Sequence, residues 1–195
     1  MKKIPTIFLR DWDGTPKHVT QEPNTGCAWV FNGEGVATRK YDGTCVAYLA
    51  LDGAGGTPGW YARREVKPGK TAPDGFRPLS TDEETGKTIG WEPIEQSAFA
   101  RWHAEALDGM EPQIGTYELV GPKVNGNPER KDCHRLIRHA EAEVLDVSDL
   151  TYDGIRAAVT RLAEQYGCEG IVWHHPDGLR MAKIKARDFP KPSTP

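Results

Sequence analysis

The chain has 195 residues, and 25 Lys and Arg against 28 Asp and Glu give it a formal net charge of −3. Hydrophobic residues make up 37% of the sequence, and no run approaches the roughly 20 apolar residues of a membrane-spanning helix. The composition therefore excludes a membrane protein, and its 6 Trp, 6 Tyr and 5 Phe exclude a disordered one. The length fits one domain with its own core.

The cysteines and the N-terminal residues indicate the cellular compartment in which the protein is expected. The four cysteines lie far apart and form no C-x-x-C pair: Cys27, Cys45, Cys133 and Cys168. We therefore expect neither a zinc ribbon nor a disulfide framework. The start, MKKIPTIFLRDWDG, lacks the apolar stretch of a secretory signal. We expect a cytoplasmic protein without a membrane partner, and a monomer.

Short strand-like runs, punctuated by Gly and Pro, follow one another along the chain. The predicted strands are residues 27–32, 36–40, 44–51, 59–66, 115–121, 143–147, 170–174 and 180–185. Gly-bearing turns at 32–35 and 175–178 favour antiparallel sheets. The polar, turn-rich segment 68–90 predicts a long loop.

Two apolar stripes predict helices. Residues 151–166 place apolar side chains at helical spacing and are followed by Gly167, a residue typical of helix ends. Residues 94–108 show a similar stripe, with Gly109 as the stop. Both stripes are typical of helices that cover a core.

Charge is clustered rather than spread evenly. A segment that carries only acidic charges covers 141–153, and three basic segments cover 60–70, 122–138 and 179–191. This pattern suggests a face that handles phosphates, with an ordinary solvated surface as the alternative. No composition break marks a second domain, so residues 1–190 are predicted to form one domain and 191–195 a short tail.

The sequence Lys40-Tyr41-Asp42-Gly43 lies where one predicted strand ends and the next begins. A lysine amine becomes a useful nucleophile when burial or neighbouring cations lower its pKa. A glycine three residues later lets the backbone approach a ligand closely. A plain turn with an exposed lysine is the alternative for these four residues.

Other charged residues strengthen the catalytic interpretation. Glu118 lies within an apolar strand, and Glu169 heads another. A charge at such a position needs a reason, because an unpaired buried carboxylate is costly. Lys183 and Lys185 alternate along a strand, so they project together and suit a polyphosphate. The alternatives are that both glutamates pair with core arginines and that the lysines form a solvated edge.

The order of these motifs resembles that of the covalent nucleotidyltransferases, which are the ATP-dependent DNA and RNA ligases and the mRNA capping enzymes. The similarity is closest to single-domain RNA ligases related to the vertebrate 5′–3′ RNA ligase. It extends from residue 4 to about 190 and includes ATRKYDGTC, YARREVKPGK, GTYELVGPKVNGNPE, EGIVWHHPDG and AKIKARDF. The resemblance implies an α+β, ATP-grasp-like ligase adenylation fold: two antiparallel β-sheets flanked by helices, with a nucleotide cleft between the sheets.

The resemblance also implies roles for individual residues. Lys40 would attack the α-phosphorus of ATP and become lysyl-AMP, and Glu169 would bind or orient Mg²⁺ or Mn²⁺. Lys183 and Lys185 would hold the α-phosphate and help to expel pyrophosphate. The other nucleotide-binding residues would be Thr38 and Arg39 near the adenine, Asp42 and Gly43 in the turn, Arg63 at the ribose or the incoming RNA end, Glu118 at a ribose hydroxyl, and Val172 against the adenine face. For the second adenine face three residues remain open: Leu136, Ile137 and His139.

The implied activity is the joining of RNA 5′-phosphate and 3′-hydroxyl ends through lysyl-AMP and RNA-adenylate intermediates. The chain ends soon after Lys185, so we expect no additional OB-fold domain of the kind that DNA ligases and capping enzymes carry. This favours RNA ligation. The alternatives are a minimal DNA ligase, another covalent nucleotidyltransferase such as a GTP-using enzyme, and a nucleic-acid-binding relative that has lost catalysis.

Overall fold

The computed structural model describes residues 3–53, 55–83 and 85–190. The predicted tail, 191–195, lies outside the described residues. Within these ranges no helix has the length and apolar character needed to cross a membrane. No disulfide bond joins the four cysteines, all of which lie among the described residues.

The described residues fall into two units. A contiguous unit consists of residues 42–141, and a discontinuous unit combines residues 3–41 with 142–190. The chain therefore leaves the discontinuous unit after Tyr41 and returns to it at Ala142. That residues 1–190 form one nucleotidyltransferase domain stays a prediction.

Strands are the main regular elements of both units. Their bounds are β1 (Phe8–Arg10), β2 (Val19–Pro23), β3 (Val36–Lys40), β4 (Thr44–Leu49), β5 (Gly59–Val66), β6 (Arg77–Thr81), β7 (Thr88–Pro93), β8 (Gly115–Val120), β9 (Arg135–Arg138), β10 (Gly170–His174) and β11 (Met181–Lys185). The α-helices are α1 (Ala28–Phe31), α2 (Ala100–Ala106) and α3 (Tyr152–Tyr166). Single 3₁₀ turns cover Thr25–Cys27, Ile94–Gln96, His139–Glu141 and Ala186–Asp188.

The contiguous unit is built on a six-stranded antiparallel sheet in the order β6-β7-β5-β4-β8-β9. Val46, Ala62 and Leu119 are almost fully buried in its core. Phe99 and Trp102, from the α2 region, pack against this cluster. The helix thereby covers the apolar side chains of the central strands.

The discontinuous unit contains a three-stranded antiparallel sheet, β11-β10-β3, and the β1–β2 pair. Ile171, Trp173 and Ile184 belong to the same buried cluster as Ile155 and Val159 of α3. The apolar stripe of α3 is therefore a core face, as the sequence predicts.

Much of the predicted architecture is confirmed. Antiparallel sheets with helices are present, although there are three sheets rather than two among the described residues. Six predicted strands correspond to β3, β4, β5, β8, β10 and β11. Helix α3 begins after Thr151, whose Oγ1 accepts a hydrogen bond from the Gly154 N–H at 3.1 Å, and it ends at Gly167, which has a left-handed φ of 64°.

Two predicted strands are wrong. Residues 27–32 belong instead to a 3₁₀ turn and α1, because a short apolar run does not distinguish a buried helix from a strand. The Asn24 side chain starts this turn by accepting a hydrogen bond from the Gly26 N–H at 3.0 Å. Residues 143–147 form no strand and contribute an isolated bridge between Val144 and Thr38.

Two other boundaries differ. The helix predicted over 94–108 is reduced to α2, because the Ser97 hydroxyl accepts a hydrogen bond from the Phe99 N–H at 3.2 Å and delays the helix start. The predicted loop 68–90 contains β6 and part of β7. Strand β6 lies at the sheet edge and is mostly exposed, so its polar sequence gave no apolar alternation.

The buried histidine of α2 predicts an acid-sensitive fold. His103 is 2% exposed, its Nε2 has no hydrogen-bond partner among the described residues, and burial lowers its pKa to about 4. Between pH 6.5 and 4 the unfolded chain binds a proton that the folded chain does not. The contribution of His103 to the free energy of unfolding is therefore fully present above pH 6.5, and it falls by about 3 kcal/mol between pH 6.5 and pH 4.

We expect His103→Leu to remove most of this loss, measured as the free energy of unfolding in urea from pH 7 to pH 4. The fluorescence of Trp60, whose ring lies 4.5 Å from that of His103 between centroids, reports the transition. An unchanged pH dependence in the variant would contradict the prediction.

Candidate active site

One face of the three-stranded sheet collects much of the predicted site. Gly170 on β10 lies opposite both Lys40 on β3 and Lys185 on β11. Opposed residues share a face of a sheet, as do alternate residues along a strand. This register defines the lysine face, which carries Thr38, Lys40, Val172, Lys183 and Lys185.

Glu169, at the head of β10, joins the outer strands of this sheet. Its Oε2 pairs with Lys40 Nζ and its Oε1 with Lys185 Nζ. Arg187 Nη2 lies 3.4 Å from the same Oε1. Burial by itself would raise the pKa of Glu169, but the positive charge of Lys40 and the hydrogen bond from Lys185 outweigh burial and hold the pKa below its usual value.

A glycine next to this carboxylate makes the arrangement possible. A Cβ added at Gly170 would collide with the Ile184 carbonyl oxygen and lie 2.8 Å from Lys185 Cα. A side chain at this position would push β11 away from β10. Because Gly170 has no side chain, β10 and β11 can lie close together beside Glu169, the carboxylate that both lysines contact.

Lys183 lies one row further along the lysine face. Burial, followed by the positive charges of Lys185 and Lys40, lowers its pKa to about 8. Lys183 can therefore lose its proton near neutral pH more readily than an exposed lysine can.

Asp188 fixes the turn that follows β11. Its Oδ2 accepts a hydrogen bond from the Lys185 backbone N–H at 2.9 Å, and its Oδ1 pairs with Arg10 at 2.7 Å. Asp188 is buried. Sequence reasoning missed both residues, although an aspartate three positions after a strand end is a common turn signal.

Thr38 has two hydrogen-bond partners on the lysine face. Its hydroxyl donates to the Val172 carbonyl oxygen at 3.1 Å, and His174 Nε2 lies 3.1 Å from the same hydroxyl. The side chain is thus fixed beside Val172, the residue predicted to contact adenine. The adenine-binding roles of both residues stay predictions.

Arg39 lies on the other face of the sheet. Its guanidinium donates to the Tyr166 carbonyl oxygen at 3.0 Å and lies 3.6 Å from a Glu143 carboxylate oxygen. The strand alternation turns Arg39 away from Lys40. The structure therefore does not bring Arg39 to the lysine face, and its predicted role near the adenine stays a prediction.

The second half of the Lys-Tyr-Asp-Gly motif belongs to the contiguous unit. Glu118 Oε1 accepts a hydrogen bond from the Gly43 N–H at 3.1 Å, and Glu129 Oε1 accepts one from the Asp42 N–H at 2.9 Å. Asn125 Nδ2 donates to the Gly43 carbonyl oxygen at 2.7 Å. The phrase GPKVNGNPE, which the resemblance singled out without a role, therefore supplies two side chains that hold this turn.

Glu118 also contacts a histidine. Its Oε2 lies 3.0 Å from His139 Nε2, and His139 Nδ1 lies 2.9 Å from Thr116 Oγ1. Ile137 lies opposite Glu118 and shares its face, whereas Leu136 packs with the core of this unit. Of the three residues left open for the second adenine face, Ile137 and His139 lie with Glu118 and Leu136 does not.

Arg63 lies on β5, opposite Trp91 of β7. Its Nε is buried and has no hydrogen-bond partner among the described residues. A buried guanidinium N–H without a partner is uncommon in folded proteins and is a candidate for ligand contact. Its predicted role at the ribose or the RNA end stays a prediction.

The carboxylates allow a limited metal site. Among the described residues no three or more His, Cys, Asp or Glu side chains group in a way that could hold a metal ion. Glu169 offers hard oxygen donors, and Mg²⁺ often takes one or two carboxylates together with substrate phosphates and water. Glu169 therefore fits a divalent cation that arrives with a phosphate ligand.

Comparison with known proteins gives structural similarity without sequence similarity. No family model matches the chain, and no curated protein matches it. Among solved structures it is similar to RNA ligases of Naegleria gruberi. One, a mutant with AMP and Mn, is 15% identical with a TM-score of 0.47 over 82% of this chain and 52% of that chain.

Two further mutants of that ligase give similar values. One, with ATP and Mn, is 13% identical with a TM-score of 0.45 over 94% of this chain and 60% of its own. The other, an apo form, is 14% identical with a TM-score of 0.44 over 95% and 61%. The chain thus spans half to about three fifths of the structures it matches, and these scores establish neither a family nor an activity.

The surroundings of Lys183 predict unusual reactivity. In trace acetylation across pH 6 to 11, with peptide mass spectrometry, Lys183 should reach half its maximal reactivity near pH 8. The unfolded chain keeps this proton up to about pH 10.5, so the contribution of Lys183 to stability increases as the pH rises from 8 to 10.5. A midpoint of reactivity for Lys183 equal to that of the side-chain amine of added Nα-acetyl-lysine would contradict the lowered pKa.

Proposed function

We propose that the chain is an ATP-dependent RNA ligase that becomes adenylated on Lys40. The observation that carries this proposal is the pairing of Lys40 and Lys185, from the two outer strands of one sheet, with the buried carboxylate of Glu169. In this arrangement Lys40 would be the amine nucleophile and Lys185 a second cation beside it. Nucleotidyl transfer needs a nucleophile and a positive charge that stabilises the phosphate oxygens.

The charge balance on the lysine face favours an anionic ligand. Lys40, Lys183, Lys185 and Arg187 all lie near Glu169, whereas Asp188 is paired with Arg10. Burying several cations around one carboxylate is a poor source of stability. A phosphate ligand would balance the excess positive charge, which is a reason for such a group at a binding site.

In the proposed first step, Lys40 Nζ loses a proton to solvent and attacks the α-phosphorus of ATP. A nitrogen–phosphorus bond forms, the bond from phosphorus to the bridging oxygen breaks, and its electron pair leaves with pyrophosphate. Lys185 and Lys183 stabilise the charge on the α-phosphate oxygens. Positioning and charge neutralisation supply most of the acceleration in such transfers.

Glu169 would hold the divalent cation, Mg²⁺ or Mn²⁺, whose bound form supplies further charge neutralisation at the phosphates. When Lys40 becomes neutral it no longer balances the Glu169 carboxylate. The carboxylate would then be available to the divalent cation, and Lys185 would remain available to the α-phosphate.

The later steps follow the same chemistry. The AMP of lysyl-AMP passes to an RNA 5′-phosphate, and an RNA 3′-hydroxyl then displaces AMP and closes the phosphodiester bond. The assignment of RNA rests on the ordered motifs that resemble those of RNA ligases. The Thr38–Val172 pair would contact the nucleotide base.

Lys40→Ala should abolish covalent adenylation, because Lys40 is the proposed nucleophile and the proposal assigns Lys183 and Lys185 to the α-phosphate. The measurement is intact mass after incubation with ATP and Mg²⁺, where the wild type gains one AMP. Lys87→Ala is the matched control, since Lys87 also pairs with a glutamate, at 2.8 Å from Glu65. An AMP gain in Lys40→Ala would overturn the assignment.

In parallel wild-type incubations, a gain from GTP rather than ATP would favour a different nucleotidyltransferase.

Lys185→Ala should slow single-turnover adenylation about a hundredfold, the usual effect of removing one charged transition-state contact. Lys185→Arg keeps the charge but replaces a point donor with a planar fork, so it should retain part of the rate. Equal rates in the wild type and Lys185→Ala would show that this lysine takes no part in adenylation.

A further inference from the structure

We propose that Arg187 binds the pyrophosphate group that leaves ATP when Lys40 is adenylated. The inference rests on the proposed function and adds a residue to which neither the motifs nor the resemblance gave a role. It follows from the position, exposure and anchoring of this arginine.

Arg187 reaches the site from the solvent side. Its Nη2 lies 3.4 Å from Glu169 Oε1, yet its side chain is 72% exposed, against 16% for Lys185 and 20% for Lys40. The guanidinium therefore touches the shared carboxylate while N–H donors remain accessible to a ligand. A leaving group that must escape to water needs a partner of this kind.

The two oxygens of Glu169 separate Arg187 from the nucleophile. Lys40 pairs with Oε2, whereas Lys185 and Arg187 both contact Oε1. In an in-line displacement the leaving group departs opposite the nucleophile. With the α-phosphate held at Lys185, Arg187, which shares Oε1 with Lys185 rather than Oε2 with Lys40, would be the cation next to the leaving group.

The backbone that carries Arg187 is fixed to the site. The Ala186 N–H donates to the Glu169 carbonyl oxygen at 3.1 Å. On the other side of Arg187, the buried Asp188 carboxylate holds the Lys185 N–H and Arg10. The turn is therefore held in place before a ligand arrives, which reduces the entropy lost on binding.

Arginine also suits the chemistry of pyrophosphate. Its planar guanidinium donates two parallel hydrogen bonds to phosphate oxygens, which an ammonium group cannot do. It remains charged throughout the pH range of the reaction. Arg187 would thus balance the negative charge that develops on the β-phosphate as the bond breaks.

The first experiment is titration calorimetry of the full chain with inorganic pyrophosphate and Mg²⁺. We expect Arg187→Gln to weaken binding about tenfold or more, the usual effect of losing a charged hydrogen bond, and Arg187→Lys to weaken it less. The matched control is Arg101→Gln, at an arginine that is 77% exposed and lies 3.3 Å from Glu105. Equal pyrophosphate affinity in Arg187→Gln and the wild type would overturn the proposal.

The second experiment uses protein already adenylated on Lys40. In Arg187→Gln, the return of AMP to ATP on addition of pyrophosphate should need about tenfold more pyrophosphate, and this effect should exceed any effect on AMP transfer to an RNA 5′-phosphate. Slowed transfer with normal pyrophosphate dependence would overturn the proposal and assign Arg187 to RNA. A wild type that binds pyrophosphate through Arg187 but gains no AMP would refute the proposed function and leave the pyrophosphate site standing.

Discussion

The Glu169 carboxylate, buried between two lysines, is the interaction on which the rest of the candidate site depends. It joins side chains from β3 and β11 across the central strand β10. Loss of the carboxylate would leave both lysines without their shared partner, a defect that costs about 3–5 kcal/mol. The close approach at Gly170 and the Asp188 turn both serve to keep these three groups together.

The same carboxylate gives the lysine face its electrostatic character. It balances part of the positive charge, but burial, followed by the positive charges of Lys185 and Lys40, still lowers the pKa of Lys183. A phosphate ligand would relieve this repulsion. The face is therefore arranged to gain more from binding an anion than isolated surface lysines would.

The sequence predicts the lysine face well because its information is local. Alternation along β11 places Lys183 and Lys185 together, and the apolar run of β10 identifies that strand. Alternation along β3 likewise separates Arg39 from Lys40. The pairing of Arg10 with Asp188 joins residues 178 positions apart, and no local pattern predicts it.

The contiguous unit illustrates a different limit. Gly43 has no room for a side chain, since a Cβ would lie 2.9 Å from Glu118 Cγ and closer still to the Leu119 carbonyl oxygen. Sequence alone suggests that a glycine here serves a close approach, but not to which group. Glu118, predicted to meet a ribose, also holds the Gly43 backbone. One carboxylate can serve both purposes because it offers about four acceptor sites, of which Gly43 and His139 occupy two.

The discontinuity of the lysine-bearing unit has a consequence for synthesis on the ribosome. Strand β3 emerges early, but its partner β10 follows only after residues 42–141. The nascent chain therefore carries Lys40 without Glu169 while the contiguous segment is translated and can fold first. The nucleophile acquires its partners only when almost the whole described chain has left the exit tunnel, so an incomplete chain cannot display an assembled lysine face.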